Sequence, residues 1–181
     1  GNSNAVAEFT VTLILAASKG ILASGMKAKE GKWKKFNGLD LTEKTVGIVG
    51  LGAIGREVAK KLQGFDVKIL AYDVYYDEEF VNKYHIEKTS LEDLIKNSDV
   101  ITLHAPAIGD KPLLGEKEFS EMKDRVVIVN AARASLIDTD ALLKALDSGK
   151  VFAAGLDVHE HEPEYDERFF KYDNVILTPH N

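Results

Sequence analysis

The 181-residue chain contains no cysteine, which excludes disulfides, zinc–thiolate sites and thiol catalysis. A reducing cytoplasm is then the natural setting, although a cysteine-free chain is compatible with other compartments. Positive charge is not in excess either. The 23 Lys and Arg face 29 Asp and Glu, for a formal net charge of −6, which gives no basic footprint for nucleic acid or anionic lipid. Long apolar runs are missing too. The most hydrophobic stretch, residues 5–23, carries Glu8 and Lys19 and has no basic segment ahead of it, so it reads neither as a signal peptide nor as a membrane span. Internal repeats and low-complexity tracts are absent. What remains is an ordinary globular composition, 45% apolar and 29% charged, long enough for one domain with a sizeable core.

That same stretch has apolar residues at Val6, Phe9, Leu13, Ala17, Gly20 and Ile21, the spacing of one helix face. Asn4 is a plausible N-cap, and a single long amphipathic helix is expected. Lys27 to Leu41 is basic and then turn-like; its five lysines beside Trp33 and Phe36 read as a solvated linker. From Thr45 onward, short, branched, continuous apolar runs alternate with helical stretches. The runs are Thr45–Val49, Val67–Ala71, Val100–Leu103, Val126–Asn130, Phe152–Asp157 and Val175–Leu177, with a weaker strand near Tyr84–Ile86. Parallel strands buried on both faces have this character. Helices are expected over Ile54–Leu62, Leu91–Ile95 and Ala141–Leu146, with Ser90 and Asp93 as a capping box, Asp138 as a second cap and Gly149 as a stop. The pattern predicts an α/β fold, a doubly wound, mostly parallel sheet of Rossmann type with a long N-terminal helix.

The first run, ending in Val49, passes into Gly50-Leu51-Gly52-Ala53-Ile54-Gly55 and then into a helix. This is G-x-G-x-x-G in the setting that gives it meaning. Gly50 permits the tight turn, Gly52 lets the backbone approach a pyrophosphate, and Gly55 allows close helix–strand packing. The helix N-terminus offers free N–H groups to the phosphates. The next strand ends in Asp73, about 20 residues on, where a carboxylate accepts the ribose hydroxyls and repels a 2′-phosphate. No cation follows among Val74, Tyr75, Tyr76 and Asp77, so NAD is favoured over NADP. The tyrosines Tyr72, Tyr75 and Tyr76 are expected to wall the adenine pocket or to pack near it.

Three further segments leave strand ends: Val129 to Arg133, Gly155 to Pro163, and Leu177 to His180. With the opening Asn4 to Glu8 helix, Gly31-Lys32-Trp33, the glycine turn and Leu103-His104-Ala105-Pro106, the chain resembles the D-isomer-specific 2-hydroxyacid dehydrogenases along essentially its whole length. The resemblance implies that Arg133, Glu162 and His180 are the catalytic residues. It implies that Ala53 and Ile54 contact the pyrophosphate and that Asp73 holds the ribose. It further implies that Ala105, Pro106, Ala131, Ala132 and Asp157 line the nicotinamide half of the site, and that His104, Arg133 and His180 also contact the cofactor. Two positions depart from the family pattern. Ala134 stands where Gly is usual, and Ala53 where Arg is frequent, which leaves the pyrophosphate to backbone N–H groups, with Arg56 as a possible compensation.

These residue types suit the chemistry. A 2-keto acid presents a carboxylate, and its carbonyl oxygen becomes negative as hydride arrives. A guanidinium such as Arg133 grips the carboxylate and polarises the carbonyl. His180 exchanges the proton with the alkoxide, and Glu162 fixes the imidazole and stabilises its cation. The His159-Glu160-His161-Glu162 run has the look of a metal cluster, but hydride transfer needs no metal, so none is expected.

By the same resemblance residues 1–181 form an NAD-binding domain, cut away from a second, substrate-holding domain built from chain before and after it. Such a piece is expected to bind NAD and to turn over little 2-keto acid alone. It is also expected to form a homodimer, with Val6, Phe9, Leu13 and Ile14 as the apolar surface. Two rivals keep the fold and change the function. One is a dehydrogenase-like NAD-sensing corepressor, separated by assaying keto acids. The other is a Rossmann methyltransferase, separated by titrating NADH against S-adenosylmethionine.

Overall fold

The computed structural model describes residues 2–107 and 109–181. Among these residues, seven strands form one parallel sheet in the order β3-β2-β1-β4-β5-β6-β7. They are β1 (Thr45–Val49), β2 (Lys68–Tyr72), β3 (Glu87–Lys88), β4 (Val100–Leu103), β5 (Val126–Asn130), β6 (Val151–Leu156) and β7 (Val175–Leu177). Four of these match the expected runs to the residue. β2 and β6 are shifted by one, and the weak strand lies just beyond Ile86, at Glu87–Lys88. Successive side chains in a strand face opposite sides, and here both sides are covered. In β5, Val126 and Ile128 enter one core and Val127 and Val129 the other, all fully buried. This is why the runs are continuous and not alternating.

One face packs against α5 (Leu91–Asn97), α6 (Glu116–Glu121) and α7 (Thr139–Asp147) through Leu94, Phe119 and Leu142. The other packs against α1 (Ser3–Lys19), α3 (Ala53–Lys61) and the turn after it through Ile14, Val58 and Leu62. Ser90 and Asp138 cap α5 and α7 by accepting from Asp93 N and Ala141 N at 3.1 and 3.2 Å. Two short helices have no counterpart in the expected set: α4 (Glu78–Lys83), capped by Asp77 on Phe80 N at 3.1 Å, and α6.

The N-terminal helix differs from expectation. It starts at Ser3 with Asn2 as the cap residue, while Asn4 lies inside and donates to Glu8 at 3.0 Å. It also breaks at Gly20, and α2 (Ile21–Lys29) leaves at 68° to it. Gly20 is left-handed, with φ of 62°, and the Phe36 ring occupies the space a Cβ would need, 2.1 Å from it. Only glycine satisfies both demands. Among the described residues no single helix is long and apolar enough to cross a membrane. Leu13 and Ile14, expected on an outer surface, are 2% and 0% exposed. Leu13 sits 3.2 Å from the position of a Cβ on Gly155 in β6, so this face is spent on the sheet. In this N-terminal segment the exposed large apolar groups lie further on, at Ile21, Leu22, Met26 and Trp33.

Candidate active site

Strands are added to one side of β1 through β2 and to the other side through β4 and β5, so the sheet order reverses between β1 and β4. Ligands of open parallel sheets bind outside the carboxyl ends of the strands at such a switch point. Every residue singled out from the sequence leaves one of these ends: the glycine turn after β1, Asp73 after β2, His104 to Pro106 after β4, Ala131 to Arg133 after β5, Asp157 to Glu162 after β6, and His180 after β7.

The glycine turn is shaped by close contacts. Gly50 has φ of 98°, and a Cβ on it would lie 2.7 Å from the His104 carbonyl. A Cβ on Gly55 would lie 2.0 Å from Gly50 O, whereas one on Gly52 would meet nothing within 4 Å. The first and last glycines are therefore demanded by the protein itself, and the middle one leaves open room where a phosphate would approach. α3 begins at Ala53 and Arg56 N is the first to bond back, to Gly52 O. The N–H groups of Ala53, Ile54 and Gly55 thus precede the first intrahelical bond, as in any first turn. Arg56 does not stand free beside them: its Nη1 donates to Leu51 O at 3.1 Å.

Asp73 braces this turn. Its Oδ2 accepts from Leu51 N at 2.6 Å, and its Oδ1 accepts from Val74 N at 2.6 Å. Tyr76, one of the tyrosines assigned to the adenine side, accepts from Asp73 N at 3.0 Å and donates to Ala71 O at 3.4 Å, which steadies the strand exit. Tyr75 and Val74 are exposed.

At the other end, His180 Nδ1 lies 2.9 and 3.0 Å from the two oxygens of Glu162. That contact, with help from His159 N–H, holds the Glu162 carboxyl below its ordinary range. An ionised carboxylate only accepts, so Nδ1 carries the proton and Nε2 is left for exchange. Both side chains are partly open to solvent. A hollow between them is closed by His159, Pro163, Tyr165 and Pro179. Asp157 is 3% exposed, and its Oδ1 accepts from Thr178 Oγ1 at 2.6 Å and Asn181 N at 3.0 Å. It therefore fixes the loop that carries His180.

Arg133 is exposed on the neighbouring loop, and its Nη1 donates to Ala132 O at 2.7 Å. Asn130, 2% exposed, shapes that loop by donating to Arg133 O at 2.9 Å and accepting from Ala132 N at 3.0 Å. Ala134 opens a 3-10 turn, Ala134–Leu136, and is not among the residues with positive φ, so glycine is not required there. His104 is sunk at the end of β4 with Nε2 2.8 Å from Thr102 Oγ1, and burial pushes its pKa down from 6.5 to about 4. The ring is neutral at physiological pH.

Asn130, Thr178 and His159 were not among the site residues read from the sequence. Asn130 had a signal, a polar residue ending an apolar run; the contacts of the others arise only from the fold. Among the described residues no group of three or more His, Asp or Glu is arranged to hold a metal. His159 turns to Thr178 O, while His161 lies exposed beside Glu160.

The family model described as D-isomer specific 2-hydroxyacid dehydrogenase, NAD binding domain, matches residues 11–181. A D-3-phosphoglycerate dehydrogenase of Archaeoglobus fulgidus is 42% identical over 99% of this chain and 35% of its own length. A glyoxylate reductase of Pyrococcus horikoshii is 39% identical over 98% of this chain and 56% of its own. Among solved structures, the apo D-mandelate dehydrogenase of Rhodotorula graminis superimposes with a TM-score of 0.93 at 34% identity, over 99% of this chain and 56% of that one. The chain thus spans about a third to just over half of the length of these relatives.

Proposed function

Because the chain belongs to the D-isomer specific 2-hydroxyacid dehydrogenases, as their NAD-binding domain, we propose that it serves an enzyme interconverting a D-2-hydroxy acid and its 2-keto acid. The cofactor is NAD, which when bound supplies or accepts the hydride. The residues present fit it: an open Gly52, three first-turn N–H groups and a carboxylate at the β2 exit.

In this reading the protein's own groups divide the work. Backbone N–H groups at the start of α3 hold the pyrophosphate, and Asp73 takes the ribose hydroxyls while bracing the turn. Arg133 binds the substrate carboxylate and polarises the carbonyl. His180 passes a proton from Nε2 to the forming alkoxide, and Glu162 retains the Nδ1 proton and offsets the positive ring. The observation that carries the proposal is the Glu162–His180 contact at 2.9 Å, at the same sheet edge as the glycine turn.

A second domain, outside residues 1–181, is proposed to close over the substrate and exclude water. On that ground the chain alone binds NAD and turns over little substrate, and side-chain selectivity for the acid lies elsewhere. Homodimerisation belongs to the same reading, with Ile21, Met26 and Trp33 as the apolar surface. The test is kinetic. In the full-length parent, assayed with NADH and a panel of 2-keto acids, His180→Ala and Arg133→Ala each lower kcat/KM by about 100-fold or more. Unchanged turnover in His180→Ala refutes the assignment, and turnover by no keto acid refutes the activity.

A further inference from the structure

His159 has no role in the chemistry above, yet it touches both halves of the acid–base pair. Its backbone N–H donates to Glu162 Oε1 at 3.1 Å. Its ring Nε2 lies 2.7 Å from Thr178 O. A carbonyl oxygen only accepts, so this ring nitrogen carries the proton and the tautomer is set. The ring is partly buried, edge-on to Tyr165 with centroids 4.7 Å apart at 79°.

Thr178 is the hub of the loop that presents His180. Its carbonyl accepts from His159 and also from His180 N at 3.0 Å, and its hydroxyl donates to Asp157 Oδ1. His180 itself has φ of 55°, a left-handed conformation that a non-glycine residue keeps only when its surroundings impose it. The end of β6 therefore grips Thr178 from two sides, with Asp157 on the hydroxyl and His159 on the carbonyl.

We propose that His159 is a positioning residue: its ring N–H on Thr178 O and its backbone N–H on Glu162 Oε1 together hold Glu162 against His180 Nδ1. The proposal rests on the acid–base reading of that pair. It concerns alignment, so His159 need never touch substrate. Small misplacements of a reacting group are costly, which gives such a clamp kinetic weight.

The test reads the tautomer of His180 directly, by long-range proton–nitrogen correlation spectra of the 181-residue chain recorded over a range of pH, the tautomer being taken from the spectra of the neutral ring. In the wild type His180 carries its proton on Nδ1. His159→Phe keeps the edge on Tyr165 but loses the donor, and the His180 signals move toward the Nε2–H form. His159→Gln, which can still donate to Thr178 O, restores the Nδ1–H form. His159→Leu replaces the phenyl variant should that one not fold, as judged from its amide spectrum. In the full-length parent, His159→Phe lowers kcat by about 10-fold or more while KM stays within about 2-fold. A His180 tautomer unchanged in His159→Phe, or changed but not restored by Gln, overturns the positioning role. Nδ1 found unprotonated in the wild type overturns the acid–base pair itself, a separate failure.

Discussion

At the scale of single residues, the site is a set of groups whose conformations are fixed by neighbours on adjacent strands. His104 shows how burial becomes a pH response. Its folded pKa, about 4, lies below the ordinary 6.5, so between those values the unfolded chain binds more protons than the folded one. Stability therefore rises with pH across that window, by roughly 3 kcal/mol in all, and is fully present above it. Glu162, whose carboxyl is held low by His180, acts in the same sense further down. His104→Gln is expected to flatten the rise between about pH 4 and 6.5 in urea-unfolding curves, leaving the carboxylate contribution at lower pH. A slope identical to wild type would show that His104 titrates normally. Residue types were readable here and their contacts were not. Arg133, Glu162 and His180 were singled out by the family resemblance, since each alone also reads as an ordinary surface group. Nothing linear announces that Asp157 and His159 both close on Thr178, because that meeting depends on β6 and β7 being neighbours.

At the scale of elements, the strands were legible because burial on both faces leaves only continuous branched runs. Where the signal was weak, the physics was local. α4 and α6 are six residues each and begin with two acidic residues or nearly so, too short to show a helical apolar period. The break at Gly20 was hidden because glycine also fits an apolar helix face, and its partner Phe36 lies 16 residues away. That break separates two roles. α1 is spent on the sheet, where Leu13 is 2% exposed, while α2 and Trp33, which is 93% exposed, present an outer surface. Leu13→Ala should then lower stability by about 2–5 kcal/mol without altering assembly. Trp33→Ser should leave the melting curve nearly unchanged but weaken self-association in sedimentation velocity. The opposite pattern would place the interface on α1.

At the scale of the whole molecule, the parallel sheet collects six loops at one edge, around the switch between β1 and β4. The chain covers 35% of one relative's length and 56% of another's, and the proposed reading assigns the rest of the substrate site to a second domain outside residues 1–181. On the proposed reading, binding of the dinucleotide needs only groups within residues 1–181. The most direct measurement is calorimetric titration of NADH into this chain, with thermal unfolding at saturation and Asp73→Ala alongside. A saturable heat, a raised melting temperature and a loss of affinity of about 10-fold or more in Asp73→Ala are the expected results. No heat and no thermal shift in the folded wild-type chain would contradict the account.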